Sequence, residues 1–205
     1  LEALDVSGVQ WNLTSEGGYA KSGAITYNLA GNMYDWNGIS SAREGLFEKA
    51  FNYISDITGI TFTETSSTYS GVDLFITDDE SGAFWTPKDY TTTSGIGIQN
   101  KSQINVAANW FGSSSANNDY TFHTIVHEIG HALGLGHQGI YNGTGAYPQD
   151  ATFSNDSWQN SIMSYFSQSD NTTVNADDAF VQSYMAADIL ALDAIYGSIS
   201  YAVFC

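Results

Sequence analysis

Eleven consecutive residues, His127-Glu128-Ile129-Gly130-His131-Ala132-Leu133-Gly134-Leu135-Gly136-His137, hold three of the chain's four histidines and one glutamate. Imidazoles bind metal ions and a carboxylate moves protons, so this is where chemistry is expected first. On a helix, His127 and His131 lie one turn apart on the same face, and both rings can reach one ion. Glu128 sits between them, angled to touch a water beside that ion without binding it directly. His137 follows His131 by six residues, which at ~100° per residue would put it on the wrong face of a continuous helix. The chain must therefore turn sharply after the second histidine. Gly134 is the place for it, because glycine enters the left-handed region at little cost. Three neutral imidazoles with a fourth position left open fit a catalytic zinc rather than a closed structural one. His123 lies a turn further back, on the opposite side of His127 from His131, and reads as a structural or supporting residue.

The elements that must carry these residues are legible to different degrees. The spacing predicts a helix over Tyr120–Leu133 that bears the first two histidines. Upstream, Ala24–Leu29 reads as a strand. Ile39–Thr58 reads as an amphipathic helix, with Ala42, Leu46, Phe47, Ala50, Ile54 and Ile57 at three- and four-residue spacing. Ser41 with Glu44 suggests a capping box, and Gly59 a stop. Ile60–Thr65, Val72–Thr77, Gly95–Gln99 and Gln103–Ala108 are short strand-like runs. About fifty residues rich in Gly, Asn, Ser and Asp follow His137, and a stretch this long inside a compact domain is usually functional or disordered. A last helix, roughly Ser183–Tyr196, carries Met185, Ile189, Leu192 and Ile195. The fold class expected is α+β: a mixed twisted sheet with two long helices, an irregular lower region and a C-terminal helix.

Composition bounds the partners. The 205 residues suit one domain, here 1–205. Five Lys and Arg against 22 Asp and Glu give a net charge of −17. Five cations cannot build a phosphate-binding patch, so nucleic acid is excluded, and docking on anionic membranes is disfavoured. Only 13% of residues are charged, about half the ~25% usual for soluble domains, so neutral polar groups must cover the surface. No run is long and apolar enough to span a bilayer. The single cysteine, Cys205, allows no intrachain disulfide. An Asn/Thr/Ser-rich, lysine-poor chain of this kind is expected to be secreted, extracellular and monomeric. Its start at Leu1, without an initiator Met or a leader pattern, is the start expected of a mature or trimmed chain.

The pattern HExxHxxGxxH resembles the metzincin zinc endopeptidases. That family also has a tight turn bearing a Met beneath the metal, and Ser161-Ile162-Met163-Ser164-Tyr165 matches it, with Met163 placed 26 residues after His137. The short spacer and the run Met185–Gly197 are similar to the serralysin branch. The resemblance implies a metzincin-like two-lobed catalytic domain, upper lobe about 1–137 and lower lobe about 138–205, with one Zn²⁺ on His127, His131 and His137. It implies Glu128 as general base, and Tyr165 as a displaceable further ligand that stabilises the oxyanion. Protein or peptide substrates follow. They would lie extended along an edge strand, for which Gly95–Gln99 is the candidate, with Tyr141, Tyr147, Phe153 and Trp158 as candidate pocket walls. Serralysins usually carry Pro after the third histidine, where this chain has Gln138. The calcium-binding nonapeptide repeats that normally follow the catalytic domain are absent, so a bound calcium has no supporting motif. Two other readings of the residues stay open: a non-catalytic zinc-binding module, and a zinc exopeptidase or amidase.

Overall fold

The structure, a computed structural model, describes residues 9–11, 24–93, 96–113, 116 and 119–196. Its elements are β1 (Val9–Gln10), β2 (Ala24–Asn28), α1 (Ser41–Thr58), β3 (Thr61–Glu64), β4 (Leu74–Thr77), β5 (Ala83–Thr93), β6 (Ile96–Val106), α2 (Tyr120–Ala132) and α3 (Ala186–Tyr196). Strands β3, β2, β4 and β6 pair in that spatial order, all parallel, and β5 adds to β6 antiparallel. β1 runs parallel to the first half of β6, on the edge opposite β5. The central strand β4, Leu-Phe-Ile-Thr, is buried along its whole length, as a strand covered on both faces requires, while β3 at the sheet's edge is largely exposed.

Helix α1 buries Leu46, Phe47, Ala50, Phe51 and Ile54, the spacing that puts one stripe against the sheet. Phe51 lies between Tyr27 and Phe62, with ring centroids 4.3 and 4.6 Å away, which ties α1 to β2 and β3. Gly59 caps α1 in the left-handed conformation (φ 70°) and donates its N–H to the Ser55 carbonyl. The expected capping box does not form. The cap residue is Ser40, without a side-chain cap bond, and its own N–H donates to the Asp78 carboxylate from across the fold at 3.4 Å. A tertiary partner does what Glu44 would have done locally.

Two further corrections concern the sheet. Gly95–Gln99 and Gln103–Ala108 are one long strand, β6, which continues through Asn100, Lys101 and Ser102 (Gly95 lies outside the described residues). That strand is interior, paired on both sides, so it is not the free edge. The free edge beside α2 is β5, which carries Pro87, a residue tolerated where no ladder bond is needed from its nitrogen. The last helix begins at Ala186 rather than Ser183, and Ser198–Cys205 lie outside the described residues. A continuous cluster of buried apolar side chains runs from Trp11 to Leu192 and includes Ile125, Ile129, Leu133, Leu135 and Met163. Among the described residues no helix is long and apolar enough to cross a membrane.

Candidate metal centre and its cleft

Helix α2 starts at Asp119, whose carboxylate accepts the N–H groups of Thr121 (2.8 Å) and Phe122 (3.4 Å), the usual satisfaction of first-turn donors. Its other end is a Schellman turn. The Leu135 N–H bonds to the Gly130 carbonyl and the Gly134 N–H to that of His131, both at 2.9 Å, with Gly134 at φ 96°. Two groups from elsewhere hold this end. Gln99 of β6 donates to the Ala132 carbonyl at 2.5 Å, and the Tyr196 hydroxyl of α3 donates to that of Leu133 at 2.8 Å. The turn brings His137 back beside His131. One ring nitrogen from each of His127, His131 and His137 then lies within 4.8 Å of the other two, so the three can hold one metal ion.

The tautomers follow from the carbonyls around them. Nδ1 of His127 lies 2.8 Å from the Ile162 carbonyl, that of His131 2.8 Å from Leu135, and that of His137 3.0 Å from Tyr141. A carbonyl can only accept, so each Nδ1 carries the proton and each Nε2 turns a lone pair inward. The Nε2 atoms of His131 and His137 stand 3.1 Å apart. Two lone pairs at that distance repel unless a cation lies between them. Three inward-facing imidazole nitrogens with no thiolate or carboxylate among them match a zinc site with a free position. Burial drives the pKa of His127 well below its ordinary value, with the His131 and His137 rings adding to the effect, and takes His131 down to about 4. Both are therefore neutral at physiological pH, the state in which an imidazole can bind a metal.

Glu128 is 6% exposed, and its Oε2 has no hydrogen-bond partner among the described residues. The Trp85 backbone N–H of the edge strand bonds to the carboxylate and lowers its pKa, but burial outweighs this and lifts it to about 8. A cation at the histidines would pull in the same direction as that N–H. Tyr165 packs its ring 4.4 Å from His137 and 4.7 Å from Tyr141, and its hydroxyl accepts the Gly143 N–H at 3.1 Å. Burial raises its pKa, so the phenol keeps its proton. His123 stays apart from the cluster. It is buried, bonds Nδ1 to the Val181 carbonyl at 3.0 Å and stacks on Tyr120.

Met163 lies under α2, where its thioether meets Gly130. A Cβ built on Gly130 would come within 2.6 Å of the Met163 sulfur. Glycine inside a helix costs ~0.5–1 kcal/mol against alanine, and here close packing of the turn requires it. Gly130→Ala should therefore destabilise the fold by about 1–3 kcal/mol despite better helix propensity. Thermal unfolding checks this, and a gain in stability would show that the contact is loose.

Two carboxylates that sequence reasoning missed support this arrangement. Asp188 is fully buried and accepts the Ile162 N–H (2.9 Å), the Met185 N–H (2.8 Å) and the Ser161 hydroxyl (2.5 Å), which fixes the turn carrying Met163. The only sequence signal is its place as third residue of α3, where a carboxylate reaches back to the cap N–H. Asp156, also fully buried, accepts the Tyr141 hydroxyl at 3.1 Å and the Ser164 hydroxyl at 2.6 Å. It thereby steadies the residue whose carbonyl orients His137.

The cleft extends to both sides of Glu128. One cavity of about 380 Å³ is lined by Trp85, His131, His137, Ile140 and Tyr141 among others. The other, about 330 Å³, is lined by Trp110, Tyr120, His123, His127 and Trp158 among others. Ala83, Glu128 and Tyr165 border both. Of the four candidate wall residues, Tyr141 and Trp158 line cavities. Tyr147 instead packs on Phe166 and donates to the Ser154 carbonyl, and Phe153 faces solvent. Trp110 and Tyr120 had not been anticipated.

Comparison with known proteins agrees with this geometry. The Matrixin family model (Peptidase_M10) matches residues 18–143. The chain is 34% identical over 155 residues to metallopeptidase AprA of Pseudomonas marginalis, a match covering 70% of this chain and 31% of that protein. It is 32% identical over 173 residues to metalloprotease AprA of Pseudomonas entomophila, covering 78% and 34%. Serralysin A of Dickeya chrysanthemi is 33% identical over 152 residues, covering 70% and 30%. The chain thus spans about a third of the length of these relatives. In fold it is similar to high choriolytic enzyme 1, a hatching enzyme zinc-protease from Oryzias latipes, with TM-score 0.51 and 17% identity over 91% of this chain and 94% of that one. The chain belongs to the matrixin family of peptidases, as a serralysin-like metzincin catalytic domain.

Proposed function

We propose that the protein is a secreted zinc-dependent endopeptidase that hydrolyses internal peptide bonds of proteins. The observation that carries this reading is the pair of cavities that meet at Glu128, Ala83 and Tyr165. A chain-end trimmer needs one side closed, whereas an internal segment needs room in both directions. Secretion is supported by kinship with the serralysins and by the low lysine content. A zinc ion on His127, His131 and His137 would supply a Lewis acid that polarises the scissile carbonyl and makes a water acidic near neutral pH.

The chain's own residues do the rest. The substrate backbone lies along the outer edge of β5 and pairs with it as an added strand. Glu128, buried and with one oxygen free, accepts a proton from the attacking water and returns it to the leaving amine. Tyr165 donates its hydroxyl proton to the developing oxyanion. The Gly143 N–H on the same oxygen polarises that hydroxyl and makes it a better donor. Tyr165→Phe should lower kcat about 10–100-fold with little change in KM, the loss of one hydrogen bond to a charged group. Steady-state kinetics on a peptide decide it, and an unchanged kcat removes the residue from the mechanism.

The reading as a whole is tested with casein. Zinc-loaded protein should cut it, chelation should stop the reaction and added zinc should restore it. Casein left whole by the zinc-loaded protein would sink the proposal.

A further inference from the structure

Of the two cavities that meet at Glu128, one is walled by aromatic rings: Trp110, Tyr120 and Trp158 line it together with His123. The His123 ring stacks on Tyr120, with centroids 5.4 Å apart, and lies 4.7 Å from the ring of Trp158. The polar groups of these walls are largely used within the chain. Trp110 donates its indole N–H to the Thr124 hydroxyl and Trp158 donates its own to the Ser164 carbonyl, each at 3.0 Å. The Thr124 hydroxyl donates in turn to the Tyr120 carbonyl, and the Ser164 hydroxyl to Asp156. His123 differs. It is 3% exposed, and its Nδ1 faces the Val181 carbonyl, which can only accept, so Nδ1 holds the proton and Nε2 a lone pair. Burial lowers the pKa to about 4, so that lone pair is present at neutral pH. Nε2 has no hydrogen-bond partner among the described residues, yet it still reaches the open space that its ring lines. A buried acceptor left in this way calls for a donor from outside the chain.

We propose that His123 sets the substrate preference of this cavity: its Nε2 accepts a hydrogen bond from the entering side chain, and the side chain selected is tyrosine. The assignment rests on the protein being an endopeptidase, and it places that tyrosine next to the cut bond, because Glu128 and Tyr165 border the same cavity. Flat walls favour a ring, which stacks on them or meets them edge-on. The acceptor then separates rings by their tips. A phenol donates to Nε2, whereas a phenyl ring shuts water out and leaves the lone pair unpaired. A carboxylate would set a second acceptor against that lone pair and a second negative charge beside Glu128. Lysine and arginine carry donors, but they would bring a full charge out of water.

The test uses the zinc-loaded protein and otherwise identical peptides with tyrosine, 4-aminophenylalanine, phenylalanine or 4-fluorophenylalanine beside the cut bond, on each side in turn. On one side, kcat/KM should be about tenfold higher for the two rings with a donor than for the two without. His123→Phe keeps a ring in the wall and removes Nε2, so the ratio of tyrosine to phenylalanine should fall to near unity, whatever its overall activity. His123→Gln, whose amide can donate to the Val181 carbonyl and still offer an oxygen to the cavity, should keep part of the preference. Equal cutting of all four peptides by the wild type, or a tyrosine preference retained by His123→Phe, would overturn the proposal. The wild-type series decides even where the variant fails to fold. Equal cutting leaves the endopeptidase reading standing, whereas peptides all left whole would sink both.

Discussion

Glu128→Ala should lose peptide-bond hydrolysis by about 10²–10⁴-fold in kcat while keeping its zinc, the range a positioned general base contributes. The carboxylate stands between the two cavities, bonded on one side to the Trp85 N–H of the edge strand and free on the other. It is not one of the three inward-facing nitrogens, so its removal leaves the metal's donors and their carbonyl partners in place. The lesion should therefore appear in turnover and not in metal content. Metal analysis and kinetics on the same sample separate the two. Full activity would remove Glu128 from the mechanism, and lost zinc would make it part of the metal site.

Asp188→Ala should cost about 3–5 kcal/mol of stability. Truncation leaves the Ser161 hydroxyl and the Ile162 and Met185 N–H groups buried without an acceptor, and the turn under the histidines loses its anchor. Since Ile162 supplies the carbonyl that orients His127, zinc affinity should fall as well, by about 10–100-fold. Asp188→Asn should recover most of the loss, because its amide oxygen can serve both N–H groups and its NH₂ can donate to Ser161. The pH dependence gives an independent reading. Burial raises the Asp188 pKa to about 6, against the three hydrogen bonds that lower it. A folded value above the unfolded one means that the native chain binds the proton more tightly. That stabilisation is complete below the ordinary value of 3.8 and is lost as pH rises through about 6. Between pH 4 and 7 the wild type should lose of order 2 kcal/mol relative to Asp188→Asn. Denaturant titrations at the two pH values measure it, and a pH-independent difference would contradict the assignment.

What could be read from the sequence was local. The one-turn spacing of His127 and His131 and the need for a turn at Gly134 follow from helix geometry alone, and the Schellman turn is found there. Helix α1 was legible because its apolar stripe is continuous. Strand β5 was not, because its side chains are half-buried or exposed on both faces and Pro87, Lys88 and Asp89 interrupt any alternation. The join within β6 was hidden for a related reason. Lys101 sits mid-strand, where its ammonium is satisfied by the carbonyls of Tyr69 and Val72. Asp156, Asp188 and Gln99 act over separations of 8 to 33 residues, and no pattern in one sequence announces such pairs. The failed capping box has the same origin, since Asp78 reaches the Ser40 N–H from another element.

The central claim is that a three-histidine zinc site between two cavities that meet at Glu128 cuts polypeptides internally. The most direct measurement is mass spectrometry of a long peptide, blocked at both termini, after incubation with the zinc-loaded protein. The account predicts two new ends at internal bonds, lost on chelation and restored by zinc. An untouched blocked peptide, alongside trimming of the same peptide with free ends, would contradict it.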